Sequence, residues 1–204
     1  MRRPGTHFRV FNCFRVGPRS RPRARRKQRL GRVRDDSKGK CGVTTLIKNG
    51  QVADDPFTAV TDDAPLPDAP AIVSLTRLRR DRDVLFERNT PLGVRLASDQ
   101  SPEALGSDLE RLSLVVLEFP RFRDGRLFSW ARMLRTRLRF KGEIRAGGDF
   151  LYDQLAFLVR VGFDAFELPA SITPALFRRA MGEITNVYQP SADGRKTIPE
   201  MRNT

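Results

Sequence analysis

Four apolar segments of this 204-residue chain each carry a charged residue at a position where a buried strand would carry none. Arg95 sits in LGVRL (92–96), Glu118 in LVVLEF (114–119), Arg145 in EIRAG (143–147) and Glu167 in DAFEL (164–168). A charge in such company is costly unless something pairs with it. The signs alternate along the chain, and each charge lies near the C-terminal end of its segment. If the segments are neighbouring parallel strands, each arginine lies beside a carboxylate at one end of the sheet. Two chemistries fit. One is a structural ion-pair network that fixes strand register. The other is a binding site for a small anion or phosphate-bearing ligand. Arg95, Arg145 and Arg126 would donate, and Glu118 or Glu167 would orient them or transfer protons. Buried ion pairs often add little net stability, so four such charges invite the second explanation.

The loops at that end are polar as well. Ser98, Asp99 and Gln100 follow the second strand; Arg121, Arg123, Asp124, Gly125 and Arg126 follow the third. Gly147, Gly148 and Asp149 are read as leading directly into a helix, where backbone N–H groups can approach an anion. The expected ligand-binding set is Arg95, Asp124, Arg126, Arg145, Gly147, Gly148 and Asp149, with Glu118 and Glu167 as catalytic candidates and no metal ligand.

The elements that must position these residues alternate regularly. AIVSL (71–75) precedes the four charged strands, and helical stretches separate all five. Ser101-Pro102-Glu103 is an N-cap followed by a favoured first turn. Leu127, Trp130, Leu134 and Leu138 share one helical face, as do Leu151, Leu155 and Leu158, after which Gly162 is the expected terminator. Residues 172–184 make a fifth helix. The expected fold class is therefore α/β, with about five parallel strands alternating with helices. A partial TIM-like barrel is preferred over a small doubly wound sheet. A short β-hairpin around Asn49-Gly50 comes first, and a Pro-rich linker (63–71) follows it. The expected division is leader 1–42, hairpin and linker 43–70, α/β domain 71–187 and flexible tail 188–204.

Charge divides the chain in two. Residues 1–42 hold fifteen basic and two acidic residues, a formal +13, whereas residues 43–204 hold 23 and 22, a formal +1. The leader is read as disordered. Three explanations compete for it: a polybasic arm for nucleic acid or acidic lipid, an Arg-rich targeting segment, or sequence preceding a true start at Val43. Nucleic acid is a partner only if the leader is real. His7, Cys13 and Cys41 all fall in it, so the remainder has neither His nor Cys. Its own side chains therefore offer no Ser-His-Asp or Cys-His nucleophile and no Cys/His zinc site. No disulfide framework is possible there, and a reducing cytoplasm is the expected setting. No apolar run reaches membrane-span length. No glycine-rich dinucleotide fingerprint is present, so the cofactor is unknown; any electron transfer would need a bound organic group.

The runs FPRFRDGR (119–126), FKGEIRAGGD (140–149), YDQLAFLVRVGFDAFEL (152–168) and YQPSADG (188–194) together resemble the bacterial domain of unknown function 934 family. The similarity spans roughly residues 44–195. It implies a cytoplasmic protein associated with assimilatory sulfite reduction, either an oxidoreductase or a non-catalytic partner of sulfite reductase. It supplies a pathway and no reaction. The matching positions are Asp124, Gly125, Arg126, Gly142, Glu143, Arg145, Gly148, Asp149, Asp153, Gln154, Gly162, Asp164 and Phe166. Members of the family begin near LIKNG, and many carry a cysteine where this chain has Val161, which argues against a thiol mechanism here.

Overall fold

A computed structural model describes residues 45–169 and 171–202; the leader, with His7 and both cysteines, lies outside them. Asn49 and Gly50 adopt φ of 50° and 80°. Type I′ turns need two such positive values. They reverse the chain between β1 (Thr45–Lys48) and β2 (Gln51–Ala53). Strand β3 (Thr58–Ala59) follows after only four residues. The five strands expected from sequence are β4 (Ala71–Ser74), β5 (Leu92–Ala97), β6 (Leu114–Phe119), β7 (Glu143–Gly148) and β8 (Ala165–Leu168).

All eight strands form one sheet in the order β2-β1-β8-β7-β6-β5-β4-β3. β3 to β8 are mutually parallel, so the parallel run has six members rather than five. The sixth was hidden because β3 is only two residues long. The hairpin is no separate preface: β1 pairs antiparallel with β8, making the sheet mixed. Successive parallel strands are neighbours in chain order, with no reversal, and this excludes the doubly wound alternative.

The edge strands β2 and β3 are joined by residues 54–57 alone. Laid flat, eight strands at 4.7–4.9 Å spacing would separate those edges by about 33 Å. The five residue steps of the connection span at most about 18 Å. The sheet must therefore curl, and it forms a half-barrel.

Helices cover the convex face. They are α1 (Leu75–Arg80), α2 (Arg82–Glu87), α3 (Arg126–Thr136), α4 (Leu155–Val161) and α5 (Pro174–Glu183); α6 (Ile198–Arg202) follows in the chain and buries no residue. Leu78, Leu85, Leu127, Leu134, Leu155, Leu158 and Phe177 pack against Val94, Leu96, Val115, Leu117, Ile144 and Phe166 of the sheet. Phe128, Phe119, Phe150, Phe166 and Phe177 form a continuous chain of ring contacts through this layer, at centroid distances of 5.0–6.3 Å.

Several helices are shorter than the apolar spacing predicts. Residues 102–111 form 3₁₀ turns broken at Gly106, whose φ of 52° and ψ of −131° are not helical, although Ser101 caps the segment as expected. Leu151 lies outside α4 and is exposed, because a 3₁₀ turn (Tyr152–Gln154) precedes that helix. Gly162 ends α4 in the left-handed conformation expected of it. Within the expected tail, 188–204, of which 188–202 are described, residues 189–193 lie against α4: Arg160 contacts Asp193 and donates to the Gln189 carbonyl. Among the described residues no helix is long and apolar enough to cross a membrane.

Candidate functional site

Side chains alternate faces along a strand. Opposite the helices, β5 presents Gly93, Arg95 and Ala97, β6 presents Leu114, Val116 and Glu118, and β7 presents Glu143, Arg145 and Gly147. On this concave face Arg95 and Arg145 lie in one register row with Val116 between them. Glu118 lies one row nearer the C-terminal ends, opposite Gly147. The four charges thus share the concave face but do not all lie at its end, because Arg95 and Arg145 sit one row back from Glu118.

Arg95 reaches across that floor. Its Nη1 donates to Glu118 Oε2, and its Nη2 donates to Glu167 Oε1 and Oε2 at 3.0 and 3.2 Å. The second pair joins β5 to β8 over two intervening strands, which the curl permits. A Cβ on Gly147 would lie 2.9 Å from Glu167 Oε2, 3.1 Å from Arg95 Nη1 and 3.2 Å from Glu118 Oε2. Gly147 therefore acts by leaving space for this triad. Burial alone would lower the Arg95 pKa, but the charges of Glu167 and Glu118 outweigh it and the net shift is upward. Arg95 stays cationic.

Arg145 has a different environment from the one its spacing suggests. It is 0 % exposed. Nη1 and Nη2 hold the Asp55 carboxylate at 2.6 and 3.1 Å, and Nε donates to Glu143 Oε1 at 3.0 Å. Glu143 Oε2 in turn meets Lys48 Nζ at 2.7 Å, and Phe57 lies over the Arg145 guanidinium. Glu118 is not among its partners; Glu167 approaches it only at 3.6 Å. Desolvation opposes the charge of Arg145, and Asp55 and Glu143 more than compensate. A full complement of partners is what makes so buried a guanidinium tolerable. It is not available to a ligand.

The remaining expected residues lie elsewhere. Asp124 and Arg126 bind each other, at 2.6 Å between Oδ2 and Nη2, and Arg126 donates to Ser98 at 2.9 Å. The Arg126 guanidinium, followed by Ser98, holds the Asp124 carboxyl well below the usual carboxylate range. Gly148 and Asp149 do not open a helix. Gly148 has φ +88° and passes so close to Phe119 that a Cβ would lie 2.2 Å from the Phe119 carbonyl oxygen. The Asp149 N–H donates to that same oxygen at 2.9 Å, and the Asp149 carboxylate accepts from Phe122 N–H at 3.4 Å. The glycine pair is accounted for by strand packing, with Gly147 serving the triad and Gly148 the Phe119 contact.

The concave face opens into a cleft of ≈ 490 Å³ at the C-terminal ends of β4, β5 and β6. Its polar lining is Asp62, Ser74, Arg95, Gln100 and Glu118, above the apolar Val60 and Ile72. Ser74 donates to Asp62 at 2.6 Å and also caps α1. Glu118 Oε1 makes no hydrogen bond to a described residue, whereas Oε2 is committed to Arg95. Sequence spacing identified Arg95, Glu118 and Glu167 but missed Asp55, Lys48, Asp62, Ser74 and Glu143. Glu143 was within reach of the same reasoning, being two residues before Arg145 and so on its face. Asp55 was not, since 90 residues separate it from Arg145.

A family model described as "bacterial protein of unknown function (DUF934)" matches residues 93–198, just over half of the chain. Among curated proteins none matches. The matched span includes Arg95, Glu118, Glu143, Arg145, Gly147 and Glu167, so the triad of Arg95 falls within it, whereas Lys48 and Asp55, which complete the surroundings of Arg145, precede it. The chain belongs to this bacterial family of unknown function, DUF934.

Proposed function

We infer that the cleft at the C-terminal mouth of the half-barrel binds a small oxyanion, or the phosphate of a larger ligand, through Arg95. The observation that supports this is a cation held at the cleft wall by two carboxylates, one of which, Glu118, is 38 % exposed at its side chain. A ligand oxyanion would replace Glu118 on Nη1 while Glu167 keeps Nη2 in place. Glu118, released beside the bound anion, is then the group positioned to accept a proton, and Glu167 is the positioning residue. The C-terminal mouth is also where barrel-like α/β folds bind their ligands. Sulfite is the first candidate, because the family resemblance implies a role in assimilatory sulfite reduction, as an oxidoreductase or accessory protein.

The decisive measurement is thermal stabilisation of the full chain by sulfite, sulfate and phosphate. Arg95→Ala should abolish the shift. Glu118→Gln should strengthen binding, because the anion no longer competes with a carboxylate. An anion response unchanged in Arg95→Ala would overturn the assignment.

A second reading, a non-catalytic partner of sulfite reductase, is favoured by the saturation of the floor: Asp55, Glu143, Arg145 and Glu167 are all engaged with one another or with Lys48 and Arg95. Co-purification with sulfite reductase, surviving Arg95→Ala, would support it.

A further inference from the structure

At the opposite mouth, by the N-terminal ends of β6 and β7, a second cleft of ≈ 680 Å³ lies between the 3₁₀ segment 102–111 and the loop that follows α3. The loop reads Arg137-Leu138-Arg139-Phe140-Lys141, alternating cations with apolar residues. Leu138 and Phe140 join Leu109 and Leu112 as the apolar lining, and beside the three cations the lining holds one carboxylate, Glu110.

The loop is held firmly from behind. Its Leu138 and Phe140 N–H groups donate to the Met133 and Leu134 carbonyls at 3.0 and 2.8 Å. Arg135 Nη1 collects the Phe140 and Gly142 carbonyls at 2.7 and 2.8 Å, and its Nη2 pairs with Asp164. The Phe140 and Gly142 carbonyls are thereby committed to Arg135. Arg137 is paired with Glu103, but Arg139 and Lys141 form no ion pair with a described residue. Arg139 also adopts φ +52°, and the only other described non-glycine residue with positive φ is the turn asparagine Asn49. A left-handed arginine is unfavourable, and strain of this kind persists where surrounding structure imposes it, often at binding sites.

We propose that this cleft binds an organic phosphate of nucleotide type, its ring over Leu109, Leu112, Leu138 and Phe140 and its phosphates on Arg139 and Lys141. The volume falls in the range of small-molecule sites, roughly 300–1,000 Å³. Leu109, Leu112 and Phe140 are sunk to 7 % exposure or less and Leu138 is half-buried, so the exposed apolar floor is narrow and too small for the apolar face of a docking helix. The site is independent of Arg95 and stands or falls separately from the oxyanion reading.

The test is isothermal titration of the full chain with ADP, with inorganic phosphate and with a poly-glutamate peptide, each against wild type, Arg139→Gln/Lys141→Gln and Arg139→Gly. ADP should bind saturably, and the double variant should lose about tenfold or more in affinity. Arg139→Gly should raise the ligand-free melting temperature, by relieving the left-handed strain, and still weaken ADP binding; a merely structural loop would not split these two effects. ADP affinity unchanged in the double variant, inorganic phosphate binding as tightly as ADP, or saturable binding of poly-glutamate without ADP would each overturn the proposal.

Discussion

Gly147 shows how one residue can set the electrostatics of the concave face. The Arg95 guanidinium lies above it between Glu118 and Glu167, and the three nearest atoms to a hypothetical Cβ are the charged tips themselves, at 2.9–3.2 Å. A methyl group there must displace one partner of the triad. The atoms it meets are the movable tips of long side chains, so Gly147→Ala is expected to destabilise the fold by only about 1 kcal/mol, the low end of what overpacking costs. The loss should read out as a lower urea midpoint. If displaced charge is the cause, Gly147→Ala in a Glu118→Gln background should cost less, and equal costs in both backgrounds would point to packing alone. Spacing in the sequence identified three of these four residues, but read the glycine as an anion-binding turn. Whether a missing side chain makes room for a ligand or for the protein's own charges depends on the strands across the sheet.

At the scale of elements, the five main strands were legible because each is a short apolar run bounded by polar or turn residues. The Asn49-Gly50 turn was legible because its chemistry is local. What was not legible depended on partners distant in the chain. Strand β3 has two residues and exists only through its pairing with β4. Helical periodicity over residues 102–111 was real, but Gly106 breaks the segment into 3₁₀ turns. The start of α3 illustrates a charge whose role is in fixing an element. Asp124 accepts from the Arg126 N–H at 3.3 Å and from its guanidinium, tying the β6–α3 loop to the first turn of the helix. Its native pKa lies below its unfolded value. The stability it contributes is thus complete above the unfolded carboxylate pKa, near pH 4, and is lost as the pH falls from there through the native value. Asp124→Asn should lower the melting temperature at neutral pH, with the gap to wild type closing below about pH 4. A gap that is constant down to about pH 3 would mean that the ionised carboxylate contributes nothing.

For the whole molecule, the question is what keeps eight strands curled. Two candidates are the four-residue connection that joins the edge strands β2 and β3, and the contacts that cross the concave face, chiefly Arg145 of β7 with Asp55 of that connection and Arg95 of β5 with Glu167 of β8. Their energetic signatures differ. Inserting four Gly/Ser residues between Asp54 and Asp55 doubles the connection, and a doubled flexible loop costs only about 0.6 kcal/mol in closure entropy if the contacts hold the curl. Asp55→Ala keeps the connection intact but removes one carboxylate from a fully buried guanidinium. Leaving a buried charge with no partner costs about 3–5 kcal/mol, and the cost here is smaller because Glu143 still pairs with Arg145 and Asp55 is partly exposed. The contacts should dominate, because Asp55 is the carboxylate that holds both Nη atoms of Arg145, and lengthening the connection leaves that pair intact. Chemical denaturation of both variants gives the comparison. Native-state hydrogen exchange then locates it, since Asp55→Ala should speed exchange in β6 and β7, whereas the insertion should affect residues 54–59 alone. If the insertion costs as much as Asp55→Ala, the short connection itself is what holds the half-barrel closed.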